Sequence, residues 1–100
     1  MAEHPLSTIA KIDPQFFEHL NKTNELVYSD GALPKKFKYL IALAFDAVDG
    51  AVNGVKSLAQ SAMKAGATKA EIAETLRVAA HLGGVGSLYI ASQGLKDIVE

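Results

Sequence analysis

The apolar segment LIALAFDAV, which follows Pro34, constrains the fold of this chain more than any other stretch. Its residues are apolar nearly all the way round a helix, and a helix of that kind is buried rather than laid on the surface of a fold. No stretch of the chain alternates apolar and polar residues with a period of two, so strands are not expected. The sequence therefore predicts an all-α fold in which this helix is buried.

Proline, glycine and aspartate residues divide the chain into five predicted helices. Asp13 and Pro14 start the first helix, because Asp caps free N–H groups and Pro lacks the one that would stay unpaired. Pro34 starts the second helix. The third is expected from about Gly50 to Ala65, with Asp49 as its N-cap.

A capping box and a glycine-rich turn set the last two helices. Thr68 and Glu71 have the spacing at which each side chain satisfies the other's backbone N–H, so a helix is expected from Lys69. It ends at GGVGS, residues 83–87, which matches neither the dinucleotide fingerprint nor the P-loop. We interpret that segment as a tight turn, followed by a final helix from about Val85 to Val99.

The length and apolar content of the chain predict one domain that self-associates. One hundred residues suit a single domain, which we divide into an N-terminal arm (residues 1–12) and a domain proper (residues 13–100). On the usual count, which adds 8 Gly and leaves out 3 Tyr, the apolar share rises from 49% to above the roughly 45–50% of soluble domains. A small chain with this surplus is expected to form a homo-oligomer.

Charge and composition exclude several classes of function. The net charge is −1, with acids and bases mixed along the chain, so the basic footprint of a nucleic-acid binder is not found. The densest basic patch is interpreted as a solvated first helical turn and consists of Lys35, Lys36 and Lys38. The chain has no Cys, which excludes disulfides and thiol chemistry. No apolar run approaches the about 20 residues of a membrane span, and no secretory signal is recognised. We expect a cytoplasmic protein with no nucleic-acid or membrane partner.

Few residues indicate chemistry by themselves. The histidines are His4, His19 and His81. None has the spacing of a ligand pair, so no metal site and no cofactor are predicted. His81 precedes a helix C-terminus, where an imidazolium suits the helix dipole, although a role in a site stays open. Asp46 stands in a strongly apolar helix and needs a partner if it is buried, such as a Lys, a Tyr or a backbone N–H.

Three pieces of sequence occur in a specific order between residues 31 and 84: LPKK followed by LIALA, then GATKAEIAETL, then AAHLGG. In this combination the chain resembles the carboxymuconolactone decarboxylase family, which includes the alkylhydroperoxidase D-like (AhpD-like) proteins. DPQFFEHL upstream adds a weaker likeness. The resemblance implies an AhpD-like bundle of about five helices with an antiparallel pair at its core. It also implies assembly into a homotrimer or homohexamer.

The resemblance further implies which positions carry chemistry in the family. Redox members have C-x-x-C at a helix N-terminus, a His four residues after the second Cys and a Glu twelve residues before the first. In this chain the Cys positions fall on Ala51 and Gly54, the His position on Leu58 and the Glu position on Tyr39. Because all four residues are replaced, neither thiol-dependent peroxide chemistry nor decarboxylation through that His is expected.

Two functions stay open at this point. The first is a small-molecule-binding or structural homo-oligomer whose redox site is vacated. The second is a non-thiol lyase, decarboxylase-type enzyme or isomerase acting on a small carboxylate or lactone. In that enzyme Tyr39 would donate a proton or hydrogen bond, His81 would be the base and Asn53 would orient the substrate. Asp46 and Asn53 are candidate pocket residues, and a cleft in which Tyr39 and His81 converge would favour the enzyme.

Overall fold

A computed structural model describes the backbone of residues 4–99 and the side chains of residues 4–98. Six α-helices account for the regular structure of these residues: Ser7–Ile12 (α1), Pro14–Val27 (α2), Lys35–Asp49 (α3), Val52–Lys64 (α4), Lys69–Gly83 (α5) and Gly86–Val99 (α6). No strand occurs among them, which confirms the predicted all-α class. None of these helices is long and apolar enough to cross a membrane.

Helix α1 was not expected, because residues 1–12 were interpreted as an arm without regular structure. Residues 7–12 are helical, and residues 1–3 lie outside the described part of the chain. Neither α1 nor α2 buries a side chain fully. Phe16 and Val27, on the apolar side of α2, remain 55% and 48% exposed. This helix pair therefore lies outside the core of the protomer.

The core is formed by α3 to α6. Helices α3 and α4 form an antiparallel pair, with α5 packed on α3 and α6 packed on α4. The buried cluster is made of small and aliphatic side chains: Leu40, Leu43, Ala47, Val55, Ala59, Ala62, Ala67, Ile72, Leu76, Ala91 and Leu95. Helices α4 and α6 approach closely at Gly94, where a Cβ would stand 2.8 Å from both the Val52 carbonyl oxygen and Val55 Cγ1.

Two predicted helix starts are confirmed. The Asp13 carboxylate accepts a hydrogen bond from the Phe16 N–H at 3.1 Å. The Glu71 N–H donates to Thr68 Oγ1 at 3.1 Å, and the Thr68 N–H donates to Glu71 Oε1 at 2.9 Å. Each pair satisfies N–H groups that the first helical turn leaves without a partner.

The predicted N-cap at Asp49 is wrong. Asp49 is the last residue of α3, and Gly50 ends that helix in the left-handed conformation with φ +84°. Ala51 occupies the N-cap position of α4 and supplies no side-chain cap. Gly50 therefore closes α3, which is the usual position of a left-handed glycine, and does not open the next helix.

Helices α3 and α5 run parallel. Near their amino ends Lys36 Nζ lies 3.0 Å from Glu71 Oε2. Near their carboxyl ends a Cβ at Gly83 would collide with Val48, standing 2.9 Å from its Cγ1. Both ends of the pair are thus held at short distance.

Helix α3 is covered on one side only within the chain, so the expectation that it is buried holds for half of its circumference. Its fully buried residues are Leu40, Leu43 and Ala47. Its opposite side carries Phe37, Ile41, Phe45 and Val48, which remain 40–67% exposed. This apolar stripe on the central helix remains 40–67% exposed among the described residues.

Candidate functional site

The start of α4 contains both positions to which the family resemblance assigns thiols. Ala51 is the N-cap residue of α4, and Gly54 is the third residue of the helix. Leu58, at the position assigned to the His, lies one turn further on and packs against the core. A helix N-terminus of this kind stabilises a thiolate. None of the three side chains found here carries an ionisable group.

The space beside Gly54 is taken by the carboxylate of Asp46, which lies in the last turn of α3. A Cβ at Gly54 would collide with Asp46 Oδ2 and would stand 2.8 Å from Asp46 Cγ. The same Cβ would lie 3.4 Å from the Ala51 Cβ, an ordinary contact. In its present position the Asp46 carboxylate therefore fills the space that a side chain at the second thiol position would need.

Asp46 is a half-buried carboxylate without a hydrogen-bond donor. No described residue donates a hydrogen bond to the Asp46 carboxylate. The Lys, Tyr or backbone N–H partner that the sequence led us to expect for a buried Asp46 is therefore not found. Burial raises the pKa of the Asp46 carboxyl, and the negative charge of Asp49 raises that pKa further. The side chain can take up a proton more readily than an ordinary aspartate.

Tyr39, at the position assigned to the family's Glu, is stacked on Tyr28. Their ring centroids lie 4.8 Å apart, with an angle of 18° between the ring planes. Burial raises the pKa of the Tyr28 phenol, and the charges of Asp46 and Tyr39 raise it further. Asp46 therefore lies close enough to act on Tyr28. Tyr28 was not predicted as a site residue, because it lies in the turn after α2 and that turn carries no motif.

Two cavities adjoin Tyr39. One has a volume of about 400 Å³ and is lined by Asn24, Glu25, Tyr28, Ser29, Lys35 and Tyr39. The other has a volume of about 380 Å³ and is lined by Lys35, Tyr39, Ser61, Lys64 and Ala65. Lys35 and Tyr39 line both and therefore stand between them. Both cavities fall in the size range of ordinary ligand pockets.

The first turn of α3 is tied to its surroundings and is not simply solvated, which corrects the interpretation of the basic patch. Lys36 Nζ forms the salt bridge to Glu71. Lys38 Nζ donates to the Ser29 carbonyl oxygen at 2.7 Å, and the Lys35 N–H donates to Asp30 Oδ1 at 2.7 Å. These bonds hold the preceding loop against the start of α3.

His81 does not line either Tyr39 cavity. It is exposed in the last turn of α5, whereas Tyr39 is half-buried near the start of α3. Since α3 and α5 run parallel from Lys36 and Glu71, the two side chains are separated by about 10 Å along the helix axes. Asn53 is exposed at the start of α4. Neither cavity at Tyr39 therefore brings Tyr39 and His81 together.

An apolar groove runs between α3 and α5 on the other flank of α3. Its larger cavity, of about 650 Å³, is lined by Leu33, Phe37, Leu40, Ile41, Ala44, Phe45, Glu71, Glu74, Thr75 and Val78. A second cavity of about 270 Å³ continues it past Val48 and Leu82. Charged side chains lie only at the α5 side of the groove, so its floor is apolar.

No group of three potential metal ligands occurs among the described residues. The chemistry available at the start of α4 is therefore that of one carboxylate with a raised pKa and a nearby tyrosine pair. Neither group replaces the nucleophile of a redox thiol site, because phenols ionise near pH 10 and carboxylates are weak nucleophiles.

The fold and the position of this site define a small all-α bundle of the AhpD-like class. A sequence profile of the carboxymuconolactone decarboxylase family matches residues 14–94. The chain is also similar to a crystal structure of the apo form of a carboxymuconolactone decarboxylase family protein from Legionella pneumophila. The TM-score is 0.83 at 32% sequence identity, over 91% of this chain and 81% of that one. No curated protein matches the chain significantly. The chain belongs to the carboxymuconolactone decarboxylase family.

Proposed function

We propose that this chain is a non-redox member of its family that acts as a self-assembling, small-molecule-binding protein. The observation that carries the proposal is the occupant of the vacated thiol position, the Asp46 carboxylate beside Gly54. A thiol at residue 54 and the present position of Asp46 are mutually exclusive, so the site is rebuilt around a carboxylate.

Self-assembly is supported by an apolar surface that the protomer leaves uncovered. We call it the α3–α5 face; it consists of Phe37, Ile41, Phe45, Val48, Val78 and Leu82, each 40–79% exposed. Contiguous exposed apolar surface of this kind marks interfaces, and each Å² removed from water contributes about 25 cal/mol. The occupant that we propose is a second copy of this chain, because the family resemblance implies trimers or hexamers.

Ligand binding is supported by the Tyr39 cavities on the opposite flank of α3. With 100° between successive helical residues, Tyr39 lies roughly 160–200° from Phe37 and Ile41. Covering the α3–α5 face therefore leaves the Tyr39 cavities open to solvent. The alternative enzyme built on Tyr39 and His81 is less well supported, because His81 lines neither Tyr39 cavity.

Light scattering after size exclusion tests the assembly. The unmodified protein is expected to elute as a trimer or hexamer at micromolar concentration. Phe45→Lys places a charge on the α3–α5 face, where Phe45 is 67% exposed, and is expected to give a smaller species with unchanged helical content. Leu26→Lys is the matched control, because Leu26 is 75% exposed on α2. A monomeric unmodified protein, or equal dissociation by both variants, would contradict the proposal.

A further inference from the structure

One of the Tyr39 cavities has an entirely basic set of charged residues. We propose that this cavity of about 380 Å³, between the start of α3 and the end of α4, binds a small planar carboxylate. The inference rests on the proposed ligand-binding function and gives it a ligand class. The lining consists of Lys35, Tyr39, Ser61, Lys64 and Ala65. Two ammonium groups and two hydroxyls are the donors that a carboxylate requires.

Charge separates this cavity from its neighbours. Glu25 lines the adjoining cavity that contains Tyr28, and Asp30 lines a third cavity on the far side of Lys35. An anion is repelled by both of those carboxylates and is directed towards Lys64. The Lys35 and Lys64 ammonium groups form no salt bridge within the described part of the chain.

The aromatic wall gives the ligand its shape. Tyr28 covers one face of the Tyr39 ring at a centroid distance of 4.8 Å, which holds the ring in one orientation. A flat organic body can lie along Tyr39 while its carboxylate reaches the lysines, because rings prefer offset-stacked or edge-to-face contact. An inorganic anion would leave this wall unused. The arrangement thus favours a planar organic carboxylate over phosphate.

Nuclear magnetic resonance titration of the unmodified protein with benzoate tests the inference. Benzoate is expected to shift the amide signals of residues 35, 39, 61 and 64 with a Kd on the order of 1 mM, typical of a fragment-sized anion at an open site. Benzamide has the same shape without the charge and is expected to bind at least about tenfold more weakly, through loss of charge-assisted hydrogen bonds. Inorganic phosphate is expected to bind more weakly than benzoate.

Paired variants separate the site from general charge effects. Lys35→Gln combined with Lys64→Gln is expected to weaken benzoate binding by about tenfold or more, with helical content unchanged. Lys22→Gln is the control, because Lys22 is exposed on α2 and is paired only with Glu18. Glu25→Gln removes the carboxylate beside Tyr28 and is expected to tighten benzoate binding.

The inference is overturned if benzoate shifts no signal at these residues, if benzamide or phosphate binds as tightly, or if the double lysine variant binds unchanged. Light scattering on the same samples keeps the two proposals apart. If the protein is a trimer or hexamer that does not bind benzoate, only the proposal of a carboxylate site is contradicted. If the protein is a monomer that binds benzoate, only the proposal of self-assembly is contradicted.

Discussion

The carboxylate of Asp46 fills the space beside Gly54 that a side chain at the third residue of α4 would need. Gly54 has an ordinary helical backbone, since positive φ angles occur only at Gly50, Gly66 and Gly84 among the described residues. The preference for glycine at residue 54 therefore comes from a side chain on the preceding helix and not from backbone conformation.

The first prediction concerns this pair. A helical Gly→Ala change stabilises by about 1 kcal/mol where space is open, but Gly54→Ala is expected to gain less than this because the new methyl group has to displace the Asp46 carboxylate. In an Asp46→Ala background the same change is expected to stabilise. Denaturant melts of the four proteins in this cycle measure the coupling. Equal gains from Gly54→Ala in the two backgrounds would show that the two residues do not compete for space.

The second prediction concerns the pH dependence of stability. The pKa of Asp46 is raised in the fold by burial and by Asp49. Its ionised form therefore costs stability at neutral pH, and this cost disappears as the pH falls through the folded pKa towards the unfolded one. Asp46→Asn is expected to be more stable at pH 7, by roughly 0.2–0.5 kcal/mol for the lost like-charge pair.

Unfolding melts of Asp46→Asn and of the unmodified protein, from pH 7 to pH 3, test whether ionised Asp46 destabilises the fold. The difference in the free energy of unfolding is expected to narrow as the pH falls. The Glu71 carboxyl, whose pKa is lowered by the Thr68 N–H and then by Lys36, acts in the opposite direction but is present in both proteins and cancels. A less stable Asp46→Asn at pH 7 would mean that Asp46 has a stabilising partner.

The third prediction compares two proposed caps. Thr68→Ala removes a hydroxyl that accepts the Glu71 N–H and is expected to cost about 1 kcal/mol. Asp49→Ala removes an exposed carboxylate that caps no helix, so the stability is expected to change by less than about 0.5 kcal/mol. Thermal melts of both variants measure the two losses of stability. An equal loss in the two would restore Asp49 as a cap.

The order and class of the helices could be predicted from the sequence because their signals are local. Asp13 before Pro14, and Thr68 three residues before Glu71, are caps whose partners lie within one turn. The end of α3 was misjudged because a glycine between two helices can close the first or open the second. The left-handed φ of Gly50 shows that this glycine closes α3, and a φ angle cannot be read from the sequence.

The candidate site could be predicted only in part. Its place at the start of α4 followed from the family resemblance, which located Ala51 and Gly54. The contact of Asp46 with Gly54 and the stacking of Tyr28 on Tyr39 depend on how helices cross, and no residue spacing encodes either contact. Tertiary packing thus supplied the part of the site that sequence patterns could not.

The fourth prediction concerns a glycine that the sequence did not single out. Gly94→Ala is expected to cost roughly 1–3 kcal/mol, because the added Cβ would meet the Val52 carbonyl oxygen and Val55 where α4 and α6 cross. Gly86→Ala is the matched control in α6, since nothing lies within 4 Å of a Cβ there. A neutral Gly94→Ala in denaturant melts would show that the helices can separate without cost.

The fifth prediction is that the protein has no thiol-dependent peroxidase activity, because none of the four family positions carries a nucleophile or a neutral-pH proton relay. Leu58 cannot transfer a proton, and a phenol is not a nucleophile at neutral pH. The measurement is turnover of an organic hydroperoxide with a dithiol reductant, and of carboxymuconolactone, by the purified protein with His81→Ala alongside. We expect rates equal to those without protein for both substrates. Turnover above that background, lost in His81→Ala, would contradict the account and identify an enzyme.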